Sequence, residues 1–271
     1  MRIQEINCKS ILTKSGIEAV DYALNPYVGC GHGCVYCYAV FMKRFTGHTE
    51  EWGSFVDVRI NAPEVLAKQL RGARPGMVLL SSVTDPYQPL EKKYRKTRAC
   101  LEALADHTGF KVSILTKSAL VTRDLDLFCR LPGLEVGFTI TTLDEEVRRR
   151  FEPHASTVRA RLEALAKLSE AGVATYIFAG PLLPSLSDDI EHLNGLFRKI
   201  KEAGARRVLV DSLNLCNAAS WGRVRVVLAR HYPDLVENYR QLALDRRSYH
   251  SALMAKARRL AENHGLAFEA A

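Results

Sequence analysis

No stretch of the chain approaches the ~20 consecutive apolar residues of a membrane span, and its start, Met1-Arg2-Ile3-Gln4-Glu5, has no secretory h-region. Both absences lead us to expect a cytoplasmic protein with no membrane partner. Paired cysteines are missing as well. There are seven, an odd number without paired spacing, which argues for a reducing interior and against a disulfide framework. Tandem repeats, low-complexity segments and obvious linkers are absent, and nothing in the sequence marks a base-flipping wedge or a cysteine-rich auxiliary domain.

What is present fills a globular protein. With 271 residues, 47% hydrophobic and 25% charged, the chain is long enough for one large α/β domain. Short aliphatic or β-branched runs alternate with amphipathic helical stretches, the pattern of βα units around a parallel sheet. The spacing predicts strands over 77–82, 111–116, 134–141, 173–179 and 207–212, preceded by a short one ending near Tyr27. Helices are expected over 63–71, 97–106, 157–171 and 188–203, each closed by a glycine within a few residues. Six strand-helix units make a partial (β/α)6 TIM-type barrel. We expect it to occupy residues 1–215, with 216–271 forming a helical C-terminal extension packed on the same structural domain.

The most informative feature is the run Gly29-Cys30-Gly31-His32-Gly33-Cys34-Val35-Tyr36-Cys37-Tyr38, a C-x3-C-x2-C spacing. Three thiolates on one short loop fit an iron–sulfur cluster, and because ordinary electron-carrying cubanes use four cysteines, three leave one iron open. An open position distinguishes a site that transforms a substrate from one that only holds structure. Glycines at 29, 31 and 33 would let the backbone wrap closely around the sulfurs. A zinc knuckle of three cysteines and His32 is the alternative, although structural zinc usually takes two ligand pairs separated by a longer stretch. Cys8, Cys100 and Cys129 read as small core residues.

The cysteine motif, with aromatic Tyr36 just before the third cysteine, resembles that of radical S-adenosylmethionine (SAM) proteins. Tyr36-Cys37-Tyr38, Ser81-Ser82-Val83-Thr84-Asp85, and Phe151-Glu152-Pro153 followed by Arg161 resemble the spore photoproduct lyase branch, a similarity running from about Asn25 to Pro184. The resemblance implies a 4Fe–4S cluster on Cys30, Cys34 and Cys37 and SAM on the open iron. It also implies reductive cleavage to a 5′-deoxyadenosyl radical, fed by a reductant such as flavodoxin or ferredoxin.

Chemistry in such barrels gathers at the C-terminal strand ends, which ranks the polar residues. Thr84 and Asp85, after the second strand, are expected at the methionine amino group. Lys117, with Ser118 beside it, ends the third strand, and Thr139 and Thr141 end the fourth, where the resemblance implies groups near the ribose and carboxylate. Tyr36 belongs to the same cofactor set. Arg161 is placed either as a bidentate partner of the SAM carboxylate or as a surface i,i+4 partner, and Gly180-Pro181-Leu182-Leu183-Pro184 offers apolar backbone for the adenine. One departure concerns the reaction. The lyases use a cysteine as hydrogen donor where this chain has Ser82, and a serine O–H is too strong a bond to replace a thiol. Cys216, Tyr38 and Tyr87 are the other candidates for a catalytic hydrogen relay.

Net charge of +8 suits a polyanionic partner. Lys92, Lys93, Arg95, Lys96 and Arg98, with Tyr87 and Tyr94, could track phosphates and stack a base, or form a solvated helix face. Three functions are therefore carried forward. The first is a radical SAM enzyme acting on nucleic acid in the manner of a DNA photoproduct repair lyase. The second is the same chemistry on a peptide or small molecule, and the third a non-enzymatic iron–sulfur redox or sensing module.

Overall fold

The computed structural model describes residues 1–214 and 218–271. Eleven strands lie among the described residues: β1 (Arg2–Ile6), β2 (Leu12–Lys14), β3 (Tyr22–Leu24), β4 (Tyr27–Gly29), β5 (Phe55–Arg59), β6 (Met77–Leu80), β7 (Lys111–Thr116), β8 (Glu135–Thr139), β9 (Ala174–Leu182), β10 (Arg207–Ser212) and β11 (Ala267–Ala270). The main sheet has the order β11-β10-β9-β8-β7-β6-β3-β2. Every pairing from β3 through β11 is parallel, and only β2 runs antiparallel, against β3. The edge strands β2 and β11 do not pair, so the barrel stays open, as the partial-barrel expectation requires.

Two details depart from the sequence reading. The first barrel strand ends at Leu24, and Tyr27–Gly29 instead joins a separate three-stranded sheet, β1-β5-β4. Residues 25 and 26 are Asn-Pro, and proline cannot donate to a continuing ladder, so the strand breaks and changes sheets before the cysteines. The C-terminal segment is helical over Ala218–His231, Val236–Leu244 and Arg246–Asn263, but its last residues return as β11 in register with β10.

The helices form where their ends are capped. Thr157 accepts from the amide of Ala160 to start Val158–Glu170, and Asp189 accepts from His192 to start Ile190–Glu202. Both end with a left-handed glycine, Gly172 at φ +80° and Gly204 at φ +94°, and a backbone bond closes each end, Val173 to Leu168 and Ala205 to Ile200. Their apolar faces, with Leu165, Leu168, Leu193, Leu196 and Phe197, pack on the sheet through Ile114, Val136, Ile177 and Val208, all fully buried. That one-sided packing leaves the C-terminal strand ends to the loops that carry the polar residues.

Candidate cluster and cofactor site

The cysteine loop leaves β4 and is held from three directions. From the segment after β8, Phe151 accepts from the amide of Val35 at 2.8 Å, and His154 donates to the carbonyl of His32 at 3.3 Å. From the loop after β6, fully buried Gln88 accepts from Gly31 N at 2.8 Å and donates to Thr84 Oγ1 at 3.1 Å, while Thr84 Oγ1 donates to the Gly29 carbonyl at 2.5 Å. The third hold comes from the C-terminal helix Ala218–His231, where Ser220 donates to the carbonyl of Cys37 at 3.1 Å and Arg223 to that of Gly33 at 3.2 Å. Gln88, Ser220 and Arg223 carry no sequence signal of their own. Only the tertiary contacts identify them.

Two of the loop glycines are required by backbone conformation, Gly29 at φ +83° and Gly33 at φ +64°. A Cβ on Gly29 would meet the Phe55 carbonyl at 2.5 Å, and one on Gly53 would meet the Gly33 Cα at 2.7 Å. Gly31 is needed for neither reason; its amide is the contact to Gln88.

Cys30, Cys34 and Cys37 are all free thiols, the first two buried. Burial, followed by the charges of Asp85 and Cys34, pushes the Cys30 thiol well up, and burial pushes Cys34 up to about 12 despite the nearby Lys117. Crowded thiols of this kind ionise only when cationic metal takes the proton's place. Among the described residues, no three His, Cys, Asp or Glu donors close around a single-ion position. Three cysteines on one short loop supply one thiolate to each of three irons of a polynuclear group. His32 does not complete a zinc knuckle, since no such three-donor position includes it among the described residues; it is buried with Nδ1 at 3.3 Å from an Asp85 carboxylate oxygen.

The expected cofactor residues converge at the strand ends, though several are already engaged. Asp85 accepts from Thr116 Oγ1 at 2.7 Å, from Lys117 N at 2.8 Å and from Tyr87 N at 2.8 Å. Burial alone would raise its carboxyl, but His32, Thr116 and the Lys117 amide outweigh it and hold it at about 2. Tyr36 donates its hydroxyl to Glu152, and Thr141 Oγ1 donates to the same carboxylate oxygen at 3.1 Å. Arg161 is fully buried and uses its whole fork: Nε to the Ser156 carbonyl at 2.9 Å, Nη1 to the Thr139 carbonyl at 2.8 Å, and Nη2 to Glu152. That geometry corrects both readings of Arg161. It is neither a surface partner nor a free carboxylate clamp but the counter-ion of Glu152.

Lys117, half-buried, lies 5.7 Å from the centroid of the Tyr36 ring, and its Nζ makes no ion pair among the described residues. Burial opposes its charge, but Cys34 and Glu152 prevail and keep the ammonium protonated. A cation beside the cysteine loop suits the carboxylate of an amino-acid cofactor.

Of the catalytic candidates, Ser82 and Tyr38 meet: the Tyr38 hydroxyl donates to the Ser82 carbonyl, and Asn25 Nδ2 reaches Ser82 Oγ at 3.4 Å. Ser81, just before them, holds φ +68°, a strained left-handed conformation for a non-glycine residue. Tyr87 is excluded as a relay or stacking platform, being fully buried with its hydroxyl on Asp124 at 3.0 Å. Cys216 lies outside the described residues. Of the remaining cysteines, Cys100 is buried as expected, whereas Cys129 is exposed. The basic run is partly structural: Arg98 pairs with Asp124 and Asp126, and Lys96 caps the Ile60 carbonyl, which leaves Lys92, Lys93 and Arg95 exposed.

With this geometry in place, the chain's relatives can be identified. The radical SAM superfamily profile matches residues 24–196, and the chain belongs to that superfamily. It is accordingly an enzyme that uses a 4Fe–4S cluster and SAM and needs a reductant. An uncharacterised protein of Methanocaldococcus jannaschii is 36% identical over 196 residues, 72% of this chain and 73% of its own. A protein of Pseudomonas phage M6 named a radical SAM Nalpha-GlyT isomerase is 27% identical over 189 residues, 68% of this chain and 38% of its own. Among solved structures, a spore photoproduct lyase superimposes with a TM-score of 0.73 at 18% identity, covering 99% of this chain and 82% of that one. No helix among the described residues is long and apolar enough to cross a membrane.

Proposed function

We propose that this radical SAM enzyme acts on a nucleic-acid substrate, with a pyrimidine lesion of the spore photoproduct kind as the first candidate. The observation that carries this reading is the short helix Tyr38–Phe45, which begins directly after the third cysteine. Tyr38 and Phe45 are 57% and 67% exposed, and the Arg44 guanidinium lies over the rings of both Phe41 and Phe45, at 5.5 and 4.6 Å from their centroids. Exposed aromatic rings interleaved with Lys43 and Arg44 provide stacking and phosphate neutralisation together, the combination by which single-stranded nucleic acid is held. The net charge of +8 acts in the same direction. A spore photoproduct lyase of this fold has been solved with a dinucleoside spore photoproduct, which supports the choice of lesion.

When bound, the cluster and SAM supply a carbon radical that abstracts hydrogen from substrate. The protein's part is to hold and shield. Cys30, Cys34 and Cys37 would ligate the cluster, and Lys117 would face the SAM carboxylate. The network of Glu152, Arg161 and Thr141 fixes the Tyr36 hydroxyl and with it the backbone leading into Cys37. For lesion reversal, a hydrogen must return to the thymine, and the Ser82 hydroxyl cannot give it. Tyr38, whose hydroxyl lies on the Ser82 carbonyl, is the donor we assign; the tyrosyl radical it leaves would be returned to tyrosine by one electron from the enzyme's reductant and a proton from solvent. The Tyr38 phenol is shifted up, not down, from the ordinary ~10 of a tyrosine, so it keeps its proton at neutral pH.

The test is anaerobic turnover of reconstituted protein with dithionite, SAM and a dinucleotide carrying the spore photoproduct. Restored thymine is expected from wild type and is expected to be lost in Tyr38→Phe. Formation of 5′-deoxyadenosine without restored thymine overturns the lesion assignment. Stimulation of SAM cleavage by peptides but not by oligonucleotides overturns the nucleic-acid reading.

A further inference from the structure

A cavity of about 500 Å3 opens between the turn after β2 and the base of the cysteine loop, lined by Lys14, Asn25, Gly29, Tyr38, Arg59 and Ser82 among others. Its size falls within the range of small-molecule sites. Its position follows from the local chain path. Gly29 immediately precedes Cys30, Tyr38 immediately follows Cys37, and Ser82 sits at the end of the second barrel strand, so the cavity adjoins the ends of the cysteine loop.

The lining has a sign. Two basic side chains, Lys14 and Arg59, line the cavity, and none of the described lining residues is acidic. Arg59 stands at the end of β5, half-buried, with Nη1 donating to the Asn25 carbonyl at 2.9 Å. It makes no ion pair among the described residues. Asp57, on the same face of that strand, is occupied by His48 Nε2 at 2.8 Å. A guanidinium stays charged at any working pH, and its fork matches a phosphate or carboxylate. A half-buried one facing an acid-free cavity lacks its anion.

We propose that this cavity is the phosphate pocket of the substrate site, in which Arg59 binds one phosphodiester of a single-stranded nucleic acid and Lys14 adds charge at the rim. This rests on the nucleic-acid reading above and names the residue that anchors the strand beside the cysteine loop. Tyr38 links the two parts of the surface, since it lines the cavity and also begins the exposed aromatic helix. A strand held by Arg59 would therefore pass its neighbouring base onto the rings of that helix.

The experiment measures binding of a labelled oligothymidylate to the reconstituted protein by fluorescence anisotropy across a salt series. Arg59→Gln is expected to weaken binding about tenfold or more, as loss of a charge-assisted hydrogen bond does, and to reduce the salt slope by about 0.7, the value for one phosphate on a single strand. Because Arg59 also supports the Asn25 carbonyl, a second series leaves it in place. Gly16 lines the cavity, and a Cβ built on it meets nothing within 4 Å. Gly16→Asp is expected to weaken binding, Gly16→Asn to leave it near wild type, and Gly16→Lys to tighten it. If wild type binds the oligonucleotide and neither Arg59→Gln nor Gly16→Asp changes affinity or salt slope, the pocket assignment fails while the nucleic-acid reading stands. If wild type binds no oligonucleotide at any salt concentration, both fail.

Discussion

Arg161 and Glu152 form an ion pair with both side chains essentially removed from solvent, at 0% and 1% exposure, and the same carboxylate receives the Tyr36 hydroxyl one residue before the third cysteine. A buried pair is not in itself a large source of stability, because desolvation offsets most of the attraction, but breaking one is costly. The pair therefore positions the cysteine loop, with the Glu152 carboxyl held below its usual range. Burial opposes that shift, and Arg161 and Lys117 overcome it.

Removing one partner, as in Glu152→Ala or Arg161→Ala, is expected to destabilise the fold by about 3–5 kcal/mol, since it leaves the other charge buried and unpaired. The double variant should cost clearly less than the sum of the two. Urea denaturation midpoints of the four proteins measure the coupling, and strict additivity would remove the pair from the account.

Acid should weaken the site through Asp85. Its carboxyl is held at about 2, against ~3.9 for an unfolded aspartate. A depressed folded value means that the stabilisation is present in full above the unfolded value and fades as pH falls through about 2. The difference is worth about 2–3 kcal/mol at neutral pH. Asp85→Asn should therefore be less stable than wild type at pH 6, with the gap closing as pH falls toward 2. A gap independent of pH across that window would contradict the assignment.

Contacts that hold the cysteine loop should control cluster retention more than folding. Gln88→Ala removes the acceptor of the Gly31 amide, and Ser220→Ala and Arg223→Ala remove donors to the Cys37 and Gly33 carbonyls. Ser220→Ala and Arg223→Ala each lose one hydrogen bond and Gln88→Ala three, a cost of about 1–3 kcal/mol. Iron and sulfide per chain after anaerobic reconstitution, read against the thermal midpoint, should fall further than the modest loss in stability would suggest.

The sequence made the cluster legible because three cysteines at that spacing leave few chemical alternatives. The barrel was legible because β-branched runs and capped amphipathic stretches alternate with the period of βα units. Val158–Glu170 and Ile190–Glu202 end where their glycines indicated. The switch of Tyr27–Gly29 into a second sheet was not legible, since a three-residue strand looks the same whichever sheet it joins. The employment of Arg161 was hidden for a different reason. Its partner Glu152 is nine residues away and outside helical spacing, so only tertiary packing reveals the pair. Tyr87 misled by sitting between Pro86 and Pro89 just ahead of the basic run in sequence while its ring turned into the core. Ser220 and Arg223 lie more than 180 residues from the carbonyls they hold, a distance over which local pattern carries no information.

The most direct test of the central claim is SAM cleavage by the anaerobically reconstituted, dithionite-reduced protein, with wild type and Cys34→Ala compared side by side. The account predicts 5′-deoxyadenosine from wild type and none from Cys34→Ala, accompanied by loss of bound iron. A Cys34→Ala protein that still cleaved SAM, or a wild-type protein with a full cluster that did not, would contradict it.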